Sequence, residues 1–215
     1  MELLSVNVAF PKVVAANRRH VETGIFKLPA DGPVKVGELN LEGDKQADLS
    51  VHGGFDKAVY AYSWKNTEHW KRFLQRADLH PGSFGENLTV DELLDTEVSI
   101  GDELEIGTAR FLVTQPRLPC YKLGIKFGRV DIIKRFLQSR RTGFYFAVMK
   151  EGEVKAGDEI EMLSRDENKI TISDITRLYA FEKDDLETML RAVKLGALSE
   201  SWREYFVNRL QKLPP

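Results

Sequence analysis

From Leu3 to about Leu163 the chain is cut by Gly, Pro and Asp into short apolar runs, and beyond Ser164 that rhythm gives way to helical spacing. This change of period limits the architectures open to the chain more than any other feature. Runs over residues 4–9, 34–36, 58–63, 98–100, 103–106, 110–114, 144–149 and 159–163 predict strands. Short strands in such a series build a barrel or a sandwich. After a turn at Gly107-Thr108, Phe111 and Val113 face one way while Arg110, Leu112 and Thr114 face the other, which predicts an antiparallel hairpin.

Two helical patterns interrupt the strands. Asn66 is the expected cap of the first, with Trp70, Phe73, Leu74 and Ala77 on one face. The second covers residues 130–139, where Ile132, Ile133, Phe136 and Leu137 form the buried stripe and Lys134, Arg135 and Gln138 stay in water. Arg165-Asp166-Glu167-Asn168-Lys169 is a polar linker, which divides the chain into a β-rich domain over 1–164 and a helical one over 165–215. In the latter, Ser173 is expected to cap a helix through Tyr179 and Lys183-Asp184-Asp185 to open one through Lys194. Ser199 or Ser201 is expected to start a third, ending near Leu210. The fold class is therefore mainly β within an α+β frame.

The 31 basic and 33 acidic residues are spread throughout for a net charge of −2, so no field draws the protein to nucleic acid or an anionic membrane. The amino-terminal residues lack a basic region followed by a long apolar stretch, and no run approaches the length a membrane span needs. A cytoplasmic location is the expectation. The single cysteine, Cys120, cannot pair within the chain, so its neighbours become the question.

Three stretches concentrate chemistry. Gly43-Asp44-Lys45-Gln46-Ala47-Asp48 is followed by His52-Gly53-Gly54-Phe55-Asp56-Lys57, a loop too polar for a core strand. There the Gly53-Gly54 backbone can approach an anion and Lys57 or Lys45 can supply charge, although a solvated hairpin turn is the plainer reading. In Pro81-Gly82-Ser83-Phe84-Gly85-Glu86-Asn87-Leu88, Asn87 offers donors and an acceptor, but Asn after Gly-Glu is also a common turn former. In Gln115-Pro116-Arg117-Leu118-Pro119-Cys120-Tyr121-Lys122, two prolines stiffen a turn and Arg117 and Lys122 flank the thiol. Positive neighbours favour the thiolate, which is the nucleophile and the soft-metal ligand, whereas most lone cysteines are buried small hydrophobes. No Cys-x-x-Cys or His-x-x-x-His is present, and His20, His52, His69 and His80 are scattered, which argues against zinc. A cysteine nucleophile with His52 as its base remains open.

Taken together and in order, these stretches resemble the molybdenum-cofactor-sulfurase carboxyl-terminal (MOSC) domain, and within it the YiiM-like proteins. The resemblance runs through Gly24-Ile25-Phe26-Lys27, the two Gly/Asp/Lys loops, Gly85-Glu86-Asn87-Leu88, Ile100-Gly101-Asp102 and the Gln-Pro-Arg-x-Pro-Cys run. The tail from Ile172 to Tyr179 and beyond resembles that family's three-helix appendage. Phe55 departs from the pattern, standing where relatives often have Pro.

The resemblance implies a MOSC-type β-barrel in which Cys120 ligates the molybdenum of a molybdopterin cofactor. It also implies reduction of small N-hydroxylated compounds such as hydroxylaminopurines and amidoximes. Arg117, Lys122, Lys57, Asn87, Gly53 and Gly54 are the candidate contacts to the pterin and its phosphate, and Asp56 and His52 the candidate proton carriers. As the chain shows no flavin, heme or ferredoxin signature, the resemblance implies a separate electron-donating reductase. The exposed helical cap offers a surface for a second copy or a partner. Two other readings stand beside this one, a non-catalytic cofactor or sulfur carrier and a metal-free cysteine enzyme.

Overall fold

The structure, a computed structural model, describes residues 1–16, 19–48 and 53–212. Its centre is an eight-stranded sheet of β1 (Leu3–Val8), β4 (Leu28–Pro29), β6 (Val59–Ser63), β7 (Leu88–Val90), β8 (Glu103–Ile106), β9 (Ala109–Pro116), β10 (Phe144–Lys150) and β12 (Ile160–Ser164). The strand order is β12-β8-β9-β10-β6-β7-β1-β4. The expected hairpin at Gly107-Thr108 joins β8 to β9 with Ile106 opposite Ala109. Neighbours pair antiparallel except β6 and β7, which lie parallel because α1 (Trp64–Leu74) carries the chain across between them. Two small ribbons complete the β structure, β2 (Lys12–Ala16) with β3 (Arg19–Thr23), and β5 (Val34–Val36) with β11 (Gly152–Val154).

A closed barrel is not what forms. Among the described residues the end strand β12 meets β1 only through the isolated Glu2–Glu159 bridge and neighbouring bonds such as Ile160 N–H to Met1 O, 2.7 Å. The register of β1 on β7 shifts between Leu3 and Ser5; Leu3 pairs with Val90 of β7 and bonds Asp158 O just before β12, while Asn7 and Val8 pair with β4. The sheet therefore curls until its ends touch and stays open, an α+β fold with six α-helices among the described residues.

Several local expectations shift for identifiable reasons. Residues 98–100 do not join the sheet as a strand; Ser99 forms an isolated bridge with Thr171, and the backbone on either side receives the tail: Ile100 N–H donates to Ile170 O and Ile172 N–H to Val98 O, both at 2.9 Å. Ser63, not Asn66, precedes α1, since Asn66 is buried in the first turn with its amide on Asp95. The first tail helix, α4 (Ile172–Ala180), is capped by Thr171 instead of Ser173, in a reciprocal box with Asp174. Asp185 caps α5 (Leu186–Ala192), and Ser199 precedes α6 (Glu200–Leu210). The expected helix over 130–139 appears as α3 (Ile132–Gln138), whereas α2 (Tyr121–Phe127), directly after Cys120, has too short a period to announce itself.

Ile172, Ile175, Leu178, Met189, Trp202 and Phe206 of the tail belong to the same buried cluster as the sheet's Val113, Phe144 and Phe146. A second cluster, with Tyr62, Trp70, Phe84, Phe127 and Phe136, lies under α1, α2 and α3. No helix among the described residues is long and apolar enough to cross a membrane.

One buried carboxylate links these layers. Asp95 accepts from Asn66 Nδ2 at 2.8 Å, Thr142 N–H at 2.8 Å and Gly143 N–H at 2.7 Å, while its own carbonyl receives Ser173 N–H at 2.8 Å. Burial pushes its pKa up, and the hydrogen bonds oppose that rise. Removing the acceptor strands several buried donors, so Asp95→Ala should lower unfolding free energy by about 3 kcal/mol, measured by urea denaturation. An unchanged midpoint would show that water replaces the carboxylate without penalty.

Candidate functional site

At the end of β9 the chain runs from Pro116 through Arg117, Leu118 and Pro119 to Cys120, which precedes α2. The proline rings hold two of these positions near one φ. Arg117 N–H donates to Gly143 O at 3.0 Å, so the turn that Asp95 secures also seats this loop. Gly143 has φ +67, and a Cβ there would lie 2.5 Å from Ala61 O, so this approach requires glycine. Cys120 is half-buried, with Arg117 and Lys122 buried beside it.

Cys120, Arg117, Lys122, Lys57, Gly53 and Asn87 line one cavity, and Lys27, Asp44, Tyr60 and Tyr145 share its wall. The Arg117 guanidinium lies 5.2 Å from the ring centres of both Tyr60 and Phe136, and its Nη1 is buried with no hydrogen-bond partner among the described residues. Burial works against its charge, Tyr60, Tyr145 and Cys120 work for it, and the balance places its pKa above the ordinary value. A buried cationic nitrogen without an acceptor costs free energy that an arriving anion would relieve.

Beneath this wall lies a polar layer. Asp44 accepts from Lys27 Nζ, from Ala9 N–H at 2.9 Å and from Asn87 Nδ2 at 2.9 Å. Asn87 Nδ2 also donates to Asn7 O at 3.3 Å and its Oδ1 accepts from Tyr60 N–H at 3.1 Å, so both amide hydrogens are committed within the protein. Burial lowers the Lys27 pKa, and Asp44 and Glu86 offset part of that. Lys126 of α2 donates to Ile25 O at 2.7 Å and Gly82 O at 2.5 Å, joining the loop before Lys27 to the loop before Asn87. Its pKa is lowered to about 8, chiefly by burial, with Glu86 opposing.

The structure gathers most of the sequence-derived candidates and separates a few. Gly54 is exposed, with φ +85, and opens the 3-10 turn Phe55–Lys57 without lining the cavity. Asp56 is not among the described residues lining this cavity or the second one below. Its backbone carbonyl accepts from Thr114 Oγ1 at 2.7 Å and Gln115 Nε2 at 3.1 Å, and burial raises its carboxyl pKa against the pull of Lys57. His52 lies outside the described residues. Sequence reasoning quoted Lys27 and Asp44 within motifs but gave them no role, and their separation by 17 positions hides the pair. Lys126 carries no sequence signal, because on a short helix it reads as a surface lysine.

A second cavity, of about 330 Å³, adjoins the first and shares Cys120, Lys57, Leu118 and Tyr145 with it. Its far wall comes from the tail: Tyr179 of α4, and Ser201, Trp202 and Tyr205 of α6. Nothing in the sequence placed the tail beside the cysteine. Among the described residues no group of three or more His, Cys, Asp or Glu is placed to hold a metal ion. A metal bound at Cys120 must therefore bring most of its ligands with it.

Comparison with known proteins shows the family and the fold. The family model of the MOSC domain matches residues 48–161, and that of the YiiM-like 3-alpha helix domain matches residues 170–213. The chain is 41% identical over 213 residues to the uncharacterized protein YflK of Bacillus subtilis (strain 168), covering 99% of this chain and 96% of that one. The crystal structure of YiiM from Geobacillus stearothermophilus superposes with a TM-score of 0.83 at 35% identity, covering 97% of this chain and 98% of that one. A Gibberella moniliformis protein named a reductase is 29% identical over 197 residues, which span 90% of this chain and 35% of that protein.

The Lys126 environment yields a titration with a defined sign. Its ammonium should lose its proton near pH 8 rather than at the ordinary lysine value, seen as the ¹⁵Nζ shift in NMR. Because the native state releases this proton before the unfolded chain does, the stability of wild type relative to Lys126→Met should increase as pH rises through about 8 to 10. A midpoint near the ordinary lysine value would place the amine in water.

Proposed function

The chain belongs to the MOSC-domain proteins, in their YiiM-like branch, and from that premise we propose that it is a molybdenum-cofactor-dependent oxidoreductase. Its substrates in this reading are small N-hydroxylated compounds, hydroxylaminopurines and amidoximes among them, and its electrons come from a separate reductase. The observation that carries the reading is the buried Arg117 Nη1, without an acceptor among the described residues, in a cavity that Cys120 shares with four lysines. An anionic pterin phosphate is the kind of group that satisfies it, while a thiolate suits a soft, sulfur-bound metal.

Cys120 would supply the protein's sulfur ligand. Arg117, Lys122 and Lys57 would neutralise the phosphate, and the Gly53 backbone would approach it closely. Asn87, its hydrogens already committed, would hold Asp44 and Lys27 in position rather than donate to the cofactor. When bound, such a group supplies removal of an oxygen atom from the substrate nitrogen, and the donor's electrons with protons complete the release of water. Asp56 and His52 are the proposed proton carriers, Asp56 from off the cavity walls and therefore through solvent rather than by direct contact; a carboxyl raised by burial, as Asp56 is, holds its proton closer to neutrality. That a relative named a reductase contains a YiiM-like stretch as a third of its length supports pairing this module with an electron donor.

Purification from a host that makes the cofactor should yield molybdenum in stoichiometric amount. Cys120→Ala should lower it by about tenfold or more while circular dichroism stays unchanged. Equal molybdenum in both proteins would overturn the assignment. Full loading without reduction of an amidoxime by an artificial donor would favour a carrier.

A further inference from the structure

We propose that the second cavity is a slot for a flat, uncharged aromatic ring, so that the helical tail, through Trp202, Tyr179 and Tyr205, selects what reaches Cys120. This deepens the reductase reading and rests on it for the chemistry, though not for the binding.

The walls set the ligand class. Trp202 is only 6% exposed and meets Tyr179 edge-on, with ring centres 5.3 Å apart at 72°. Tyr205 lies 5.3 Å from Tyr179 and 6.1 Å from Trp202, and its hydroxyl accepts from Arg209 at 2.8 Å. Mutually braced rings of this kind present flat apolar faces without needing to be ordered by the ligand. The opposite side is Pro116, Leu118 and Pro119, equally rigid and apolar.

Among the described residues no carboxylate lines the cavity and Lys57 stands at its edge, so a cation meets a like charge there and no counter-charge beyond the ring faces. The polar side chain deepest in the wall, Gln115, is already committed: Nε2 to Asp56 O at 3.1 Å, and Oε1 to Ser199 Oγ at 2.8 Å. The nearest charge is Lys57, on the boundary with the first cavity beside Cys120. Such a cavity accepts a planar neutral ring along its walls and directs the ring's polar substituent toward the cysteine.

The same Gln115 explains why the tail is held in place here. Ser199, the residue preceding α6, ties that helix to β9 through Gln115, and β9 is the strand that delivers Cys120. Trp202 follows Ser199 by one helical turn, so its position relative to the cysteine is set by a buried hydrogen bond rather than by surface packing.

The test uses the full chain and a matched pair of neutral probes: benzamide, and acetamide, which has the same amide without the ring. In NMR titrations benzamide should bind and acetamide should not, and Trp202→Leu should weaken benzamide by about tenfold, the scale of a lost aromatic stack. Trp64→Leu, on α1, should leave the affinity unchanged. Should Trp202→Leu fail to fold, Tyr205→Leu, on a half-buried ring, should still weaken benzamide severalfold. Equal binding of both amides, no benzamide binding by wild type, or unchanged affinity in the tail variants overturns the proposal. So does loss of molybdenum in Trp202→Leu, which would make the cavity part of the cofactor's seat. Ring binding that depends on Trp202 in a protein carrying no molybdenum would leave the slot standing and remove the reductase reading.

Discussion

The Asp95 carboxylate is the constraint from which the rest of the arrangement follows. It stands outside the sheet's regular ladder, yet it fixes α1 through Asn66 and the start of β10 through Thr142 and Gly143, while the backbone carbonyl of the same residue holds the tail through Ser173. Gly143 in turn receives the Arg117 N–H, so the loop bearing Cys120 inherits its placement from a carboxylate more than twenty residues away in sequence. Such a group is worth burying because every donor around it would otherwise face an apolar interior.

Around that anchor the protein holds more charge in its interior than the fold needs. Lys27 and Asp44 are both nearly sealed, Glu86 is sealed, and Arg117 is buried between aromatic rings. A buried ion pair is a poor source of stability, because desolvation offsets most of its attraction. Its placement along one cavity wall is consistent with a site preorganised for a ligand rather than with a core optimised for strength. The incomplete closure of the sheet fits the same picture, since the loops at 23–27, 43–47 and 81–87 converge on the cavity instead of extending the ladder.

The tail helices bring a second kind of surface to the same cysteine. One side of Cys120 is cationic and polar; the other is aromatic and without carboxylates. The two cavities meet at Cys120, Lys57, Leu118 and Tyr145, so in the proposed reading a cofactor held on one side would face a ring entering from the other.

What the sequence determined by itself was local: the strand rhythm, the hairpin at Gly107-Thr108, the three tail helices, and the proline-stiffened loop that made Cys120 the candidate. Each of these depends on residues within a turn or two of one another, so spacing and side-chain type sufficed. The tertiary structure alone decided that the sheet stays open, that Asn66 serves Asp95 and does not cap α1, and that residues 98–100 receive the tail. It also decided that Asp44 meets Lys27 and Asn87, that Asp56 lies off the cavity walls, and that Trp202 lines a cavity together with the cysteine. These are contacts between distant positions, chosen by which buried donors and acceptors can be satisfied together, and that condition exists only once the chain has packed.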